Sequence, residues 1–142
     1  MSAADLLLRG RAKAEEQMVD TCTITRLDGS TITDPDTGEV TQGGTVIYPT
    51  ADHIAAGNPG KCKVQSKDSA TASPDAGGHT FVVVSRQVHI PANAADVKDG
   101  DVVTITESLL NAFTVGKQYR VEGFTPDSFD TAARLPVKEL TS

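Results

Sequence analysis

The chain has 142 residues, 38% hydrophobic but only 4% aromatic and without Trp, which is the composition of one domain with a modest core of Val, Ile, Leu and Ala. Its formal net charge of −6 argues against the basic face that gripping nucleic-acid phosphates requires. No apolar run nears the length of a membrane span. The N-terminal MSAADLLLRGRAKAEE lacks the apolar centre of a signal peptide, so the chain is expected to start in a cytoplasm with reduced thiols.

Ser2 to about Asp20 reads as a helix, with Ser2 and Asp5 spaced as a capping box. Helical spacing puts Ala4, Leu7, Leu8, Ala12, Ala14, Met18 and Val19 on one broad face and Arg9, Lys13, Glu16 and Gln17 opposite. Arg11 and Glu15 fall inside the apolar face, four residues apart, where they can pair. They either snorkel at the edge of an ordinary packed helix or set the register of a docked neighbour. On the second reading Leu8, Arg11, Glu15 and Met18 form a subunit interface.

Thr21 to Leu27 alternates as a strand, with Cys22 and Ile24 on one face. Asp28-Gly29 signals a turn. Asp34-Pro35-Asp36-Thr37-Gly38 signals a tighter one, with Val40 and Val46 to Tyr48 as strand beyond it. Asp34, Asp36 and Gly38 have some of the spacing of a calcium loop. Pro35 and the Thr45 found where a bidentate Glu is needed make a plain hairpin the better reading. Pro49 to Gly60 reads as loop and Lys61 to Gln65 as strand. Ser66 to Gly78 is small and polar, with almost nothing to pack, and is long for a connection inside a domain.

Thr80 to Ile90 carries the strongest strand pattern. Asp99-Gly100-Asp101 turns into a strand from Val102 to Glu107. Lys117 to Gly123 is another, a loop covers Thr125 to Asp130, and Arg134 to Leu140 closes the chain. Pro136 within the last strand points to an edge or a bulge. The expected fold is mainly β: a helix over 1–20, then a single small antiparallel β-barrel over 21–142 with long loops, closure removing exposed edges.

No chemistry accompanies these elements. His53, His79 and His89 stand without a second ligand at metal spacing, and Cys22 and Cys62 read as small buried hydrophobes. No nucleophile elbow, phosphate loop or dinucleotide fingerprint is present, and the paired carboxylates Asp99 and Asp101 sit in a turn. The expectation is a non-enzymatic protein with no cofactor, metal or catalytic residue.

The stretches HIPANAADVKDGDVVTITES, GKQYRVEGF and FDTAARLPVKEL, in that order, resemble the head-to-tail stopper (head-closure, head-tail connector) proteins of tailed phages that infect actinobacteria. The N-terminal helix, the DPDTGEVT turn and the GKCKVQ strand fit the same pattern, so the resemblance spans nearly the whole chain. Val97 to Thr106 and Ala133 to Glu139 are its most specific parts, and Ser108 to Val115 carries no firm pattern. The resemblance implies a small β-barrel with an added helix that forms a ring of itself, six copies or alternatively twelve. That ring lies in the virion neck, below the portal and adaptor and above the tail, and retains the packaged double-stranded DNA.

It further implies a channel loop after the GKCKVQ strand. Here that is Ser66 to Gly78, with Lys67, Asp68 and Asp75 as charged contacts and Gly77 and Gly78 as hinge. Asp34, Asp36 and Glu39 either contact an adjoining adaptor or tail ring or belong to a solvated hairpin. A tail terminator, also a small ring protein, is the alternative. A generic small-barrel binding module is a remote one, since it needs a basic groove with exposed aromatics.

Overall fold

The computed structural model describes residues 2–68, 84–126 and 130–140, with the backbone alone at 67, 68, 84 and 85. In chain order it holds helix α1 (Ala3–Glu16), strands β1 (Asp20–Thr33) and β2 (Val40–Tyr48), and the short helix α2 (Ala51–Ala55). Strands β3 (Lys61–Asp68), β4 (Val84–Pro91) and β5 (Val102–Ser108) follow, then a single 3-10 turn (Ala112–Thr114), β6 (Gln118–Val121) and β7 (Ala132–Leu140).

The strands close into a six-stranded antiparallel barrel in the order β1-β3-β4-β7-β6-β5 and back to β1. β2 lies outside that ring. It pairs with β1 from Ile24 onward and follows it out to Thr33↔Val40, so the two form a projecting hairpin arm. Along β1 the change is visible in burial. Cys22 and Ile24 are sealed in the core, whereas every residue from Asp28 to Thr33 is exposed.

The core is the small aliphatic one that the composition implies. Val88, Ile90, Val103, Ile105, Val121 and Leu135 fill it, with Cys22 and Cys62 among them as free thiols. The hydrogen bond with the Cys22 thiol, and then burial, push the Cys62 thiol well above its ordinary range, which keeps it protonated and inert. Both tyrosines lie inside and bring the two large side chains of the core. Tyr48 ties its hydroxyl to the Lys61 carbonyl at 2.8 Å and receives the Asn58 amide at 3.1 Å. The Asn58 side-chain oxygen in turn accepts from Gly60 N and Lys61 N at 3.0 and 2.8 Å. This network fixes how the chain enters β3.

Several elements depart from the sequence reading. The helix stops at Glu16, with Gln17 as C-cap, because Val19, Thr21 and Thr23 begin a β-branched run that suits a strand. Its capping box is present as expected, Asp5 N donating to Ser2 Oγ at 3.2 Å and Ser2 N to Asp5 Oδ2 at 3.3 Å. Arg11 and Glu15 do not pair. Arg11 Nε donates to the Asp130 carbonyl at 3.0 Å and pins α1 to the barrel.

Asp28-Gly29 is a bulge inside one long strand rather than a turn. Gly29 sits at φ 82°, Asp28 Oδ1 accepts from Ser30 N at 2.9 Å, and the register slips between Leu27 and Thr31. The stretch after Pro49 holds α2, capped by Thr50, and His53 lies within it. Ser66 to Asp68 belong to β3, paired with Val84 to Arg86, and are not loop.

Pro136 is neither on an edge nor at a bulge. β7 runs between β4 and β6, with Gln87 opposite Pro136. The N and C=O of a strand residue point to the same side, and the Pro136 carbonyl accepts from Glu122 N at 2.9 Å. The missing N–H therefore faces Glu122, one step past the last residue of β6, Val121, so the proline removes only the bond that would close the end of this ladder.

Candidate assembly interface

Among the described residues, groups of large apolar side chains face solvent on three parts of the chain, besides the single Ile54 of α2. On α1 these are Leu6 and Leu8, on the arm Ile32, Val40 and Val46, and on the β5–β6 connection Leu109, Leu110 and Phe113. Their positions follow from local chemistry. α1 lies across β4 and β7 with no fully buried residue, and Gly10 brings it close to Thr131, so the outer half of its apolar face is left over.

The arm is a two-stranded ribbon exposed on both faces. Ile32 stands opposite Thr41 on one face and Val40 opposite Thr33 on the other. Its tip is a tight turn in which Asp34 Oδ1 accepts from Asp36 N at 2.8 Å and Asp34 O from Gly38 N at 2.8 Å. The Asp34 carboxylate thus organises the turn, and no three ligating side chains converge among the described residues. Asp34, Asp36 and Glu39 crown this tip, all exposed. Between Leu27 and Tyr48 the chain carries Asp28, Asp34, Asp36 and Glu39 and no Lys, Arg or His.

The β5–β6 connection is the feature that sequence reading missed. Buried Asp20 accepts from Ser108 Oγ at 2.6 Å, Ser108 Oγ accepts from Asn111 N at 3.1 Å, and Asn111 Oδ1 caps Phe113 N at 3.0 Å. Leu109 N donates to the Val19 carbonyl and Gly116 N to the Ile105 carbonyl at 3.2 and 2.7 Å. The loop is thereby built onto the barrel, yet Leu109, Leu110 and Phe113 remain 78%, 77% and 89% exposed. Beside it runs a groove of about 390 Å³ bordered by Val64, Leu110 and Phe113 and by Lys63, Arg86 and Lys117. Lys117 holds Glu139 at 2.7 Å and depresses its carboxyl below the usual range. The available signal was a cluster of apolar residues, Leu109-Leu110-Asn111-Ala112-Phe113, between two strands where polar turn residues are the rule.

The expected site residues scatter over these features. Leu8 is 60% exposed and free to meet a neighbour, while Arg11 and Glu15 are half-buried. Met18 is only 7% exposed, packed within its own chain, and offers a partner almost no surface. Ser66, Lys67 and Asp68 end β3, whereas Asp75, Gly77 and Gly78 lie outside the described residues.

His89 in β4 is 8% exposed, its Nε2 lying 3.3 Å from Gln87 Oε1. Burial first, then the charges of Lys63 and Arg134, lower its pKa to about 4. The unfolded chain therefore takes up this proton near pH 6.5 and the folded chain only near pH 4, so its contribution to stability falls as pH drops through that window. Replacing His89 with Gln is expected to remove about 2 kcal/mol of the acid destabilisation between pH 7 and 4. Parallel urea titrations of the two proteins across that range measure the difference.

Comparison with known proteins gives one match, to a family of unknown function, DUF6093, over residues 10–138. No curated protein and no solved structure matches the chain.

Proposed function

The chain belongs to the DUF6093 family, and we propose that it is a structural ring protein of a phage neck, the head-to-tail stopper that closes the channel beneath the portal and adaptor. The observation that carries this reading is the separation of the three exposed apolar surfaces on α1, the arm and the β5–β6 loop. A barrel acting alone has no use for three of them. A subunit gripped by neighbours on two sides and by another ring above or below has a use for each. The order of the segments that resemble stopper proteins supplies the rest of the argument.

In this reading the work is mechanical. Closure of a head-to-tail ring multiplies weak contacts between subunits. A net charge of −6 repels DNA phosphates, so the wall of the channel lets the genome pass without holding it. The carboxylates Asp34, Asp36 and Glu39 at the arm tip contact a neighbouring surface. β3 and β4 pair as far as Asp68↔Val84, and the connection between them, which holds most of the segment Ser66 to Gly78, lies outside the described residues. The gate of the channel is assigned to this connection.

A cryo-EM reconstruction of the virion neck tests the reading. The expected result is a ring of this chain between adaptor and tail, with the β3–β4 connection on the axis. A ring whose β3–β4 connection faces outward removes the gate and keeps the stopper. A ring seated on the tail tube without touching an adaptor makes the protein a tail terminator, and absence from the neck overturns the reading altogether.

A further inference from the structure

We propose that the β1–β2 arm of one copy docks in the groove beside the β5–β6 loop of the next copy, giving a head-to-tail junction between identical chains. The inference deepens the ring reading and rests on it. Topology supplies the first argument. Asp20, at the start of β1, pairs with Ser108 immediately before the loop, whereas the arm begins at Leu27, midway along the same strand and past its last pairing with β5 at Thr25. Seven residues of strand separate the two by roughly 23 Å. The arm therefore leads away from its own groove, and a second copy is needed to fill it. Such a contact uses two different patches of the surface, which is the heterologous arrangement that closes into rings.

Chemistry supplies the second argument. The arm has exposed Ile32 and Val40 and only negative charge, from Asp28, Asp34, Asp36 and Glu39. The groove has exposed Leu110 and Phe113 with Lys63, Arg86 and Lys117 around them. Its own carboxylates are Asp20, buried against Ser108, and Glu139 beside Lys117, so the cations are in excess in an otherwise acidic chain. Apolar surface meets apolar surface and opposite charges flank it. The third argument is the difference in rigidity. The loop is fastened by the Asp20–Ser108–Asn111 chain of hydrogen bonds and needs no reordering to receive a partner. The arm is a two-stranded ribbon held only by its own ladder, marginal until a third surface covers it.

The test uses full-length protein and two double variants at exposed positions. The arm variant is Ile32→Lys with Val40→Lys, and the groove variant is Leu110→Asp with Phe113→Asp. Sedimentation velocity is expected to show wild type associating as concentration rises and each variant weakened about a hundredfold, from the apolar burial lost. An equimolar mixture of the variants is expected to stop at a dimer. The intact groove of the first can take the intact arm of the second, and no further junction can form. Far-UV circular dichroism and melting curves matching wild type establish that the variants fold. A wild type that stays monomeric at its solubility limit overturns the proposal. So do variants that assemble like wild type, a mixture that stays monomeric, and a mixture that grows beyond two. All of this is read on purified protein, so a neck that lacks the chain would overturn the stopper reading and leave the junction standing.

Discussion

Replacing Gly60 with Ala is expected to cost about 3–5 kcal/mol, a large part of the 5–15 kcal/mol that holds a typical domain together. Two effects add. Gly60 stands at φ 117°, where a residue with a Cβ is strained by about 1–3 kcal/mol. The new Cβ would also run into the backbone oxygen of Cys22, with Cys22 N and Pro49 Cδ at 3.4 Å leaving no side to retreat to. Relief requires β1 and β3 to part where Cys22 N donates to Gly60 O at 2.9 Å, and an unpaired buried backbone group costs about 1–3 kcal/mol more. The Asn58 network and the hydroxyl of Tyr48 hang on the same backbone. Gly57 provides the control. It has φ 87° and open space around it, so Gly57→Ala is expected to show the strain alone, about 1 kcal/mol. Urea midpoints at constant slope separate the two variants, and equal losses would mean that strain, not the Cys22 contact, sets the effect.

How much of this was legible in the sequence varies with the physics of each segment. Alternation in TCTITRL and in VVTITES sets which side chains face a core, and Cys22, Ile24, Val103 and Ile105 are buried as that period demands. Closure of the barrel follows from many short strands with no long apolar edge. The arm was harder. Asp28-Gly29 has the composition of a turn, and only the continued pairing of Thr31 to Thr33 with Val40 to Gln42 turns it into a bulge. Helical periodicity placed Leu8 and Met18 on one face. It cannot tell which part of a face the barrel covers, and here Met18 lies beyond the helix end and inside the core. Phe113 escaped because large apolar residues between strands have no period to betray them, and their exposure becomes visible only when the Asn111 cap turns the loop outward.

The Asp-Gly-Asp sequence at 99–101 reads as one polar turn, yet its two carboxylates differ sharply, and the larger effect belongs to Asp101. Its side chain is 3% exposed and accepts from Arg26 Nε at 3.1 Å, from Arg26 Nη2 at 2.9 Å and from Lys98 N at 2.8 Å. Arg26 Nη2 also donates to the Asp96 carbonyl at 2.7 Å. Asn in place of Asp101 keeps the shape, removes the charge and turns an amide N–H₂ toward donors, so Asp101→Asn is expected to cost about 3 kcal/mol. Arg26→Lys should cost less, about 1–2 kcal/mol, since an ammonium cannot bridge both oxygens. Asp99 accepts only from Gly123 N, at 2.8 Å in an exposed turn, and Asp99→Asn should lose no more than about 1 kcal/mol. Urea titration of the three variants gives the ranking, and equal losses at Asp99 and Asp101 would remove any special standing of the pair. The pair also has a mechanical place. Arg26 lies two residues before the arm's exposed stretch, and Asp101 immediately precedes β5, so their bidentate contact clamps the root of the arm to the barrel wall. A loosened root costs a projecting hairpin its fixed direction. Asp101→Asn should therefore weaken head-to-tail association even at temperatures where the barrel stays folded, an effect Asp99→Asn should not share.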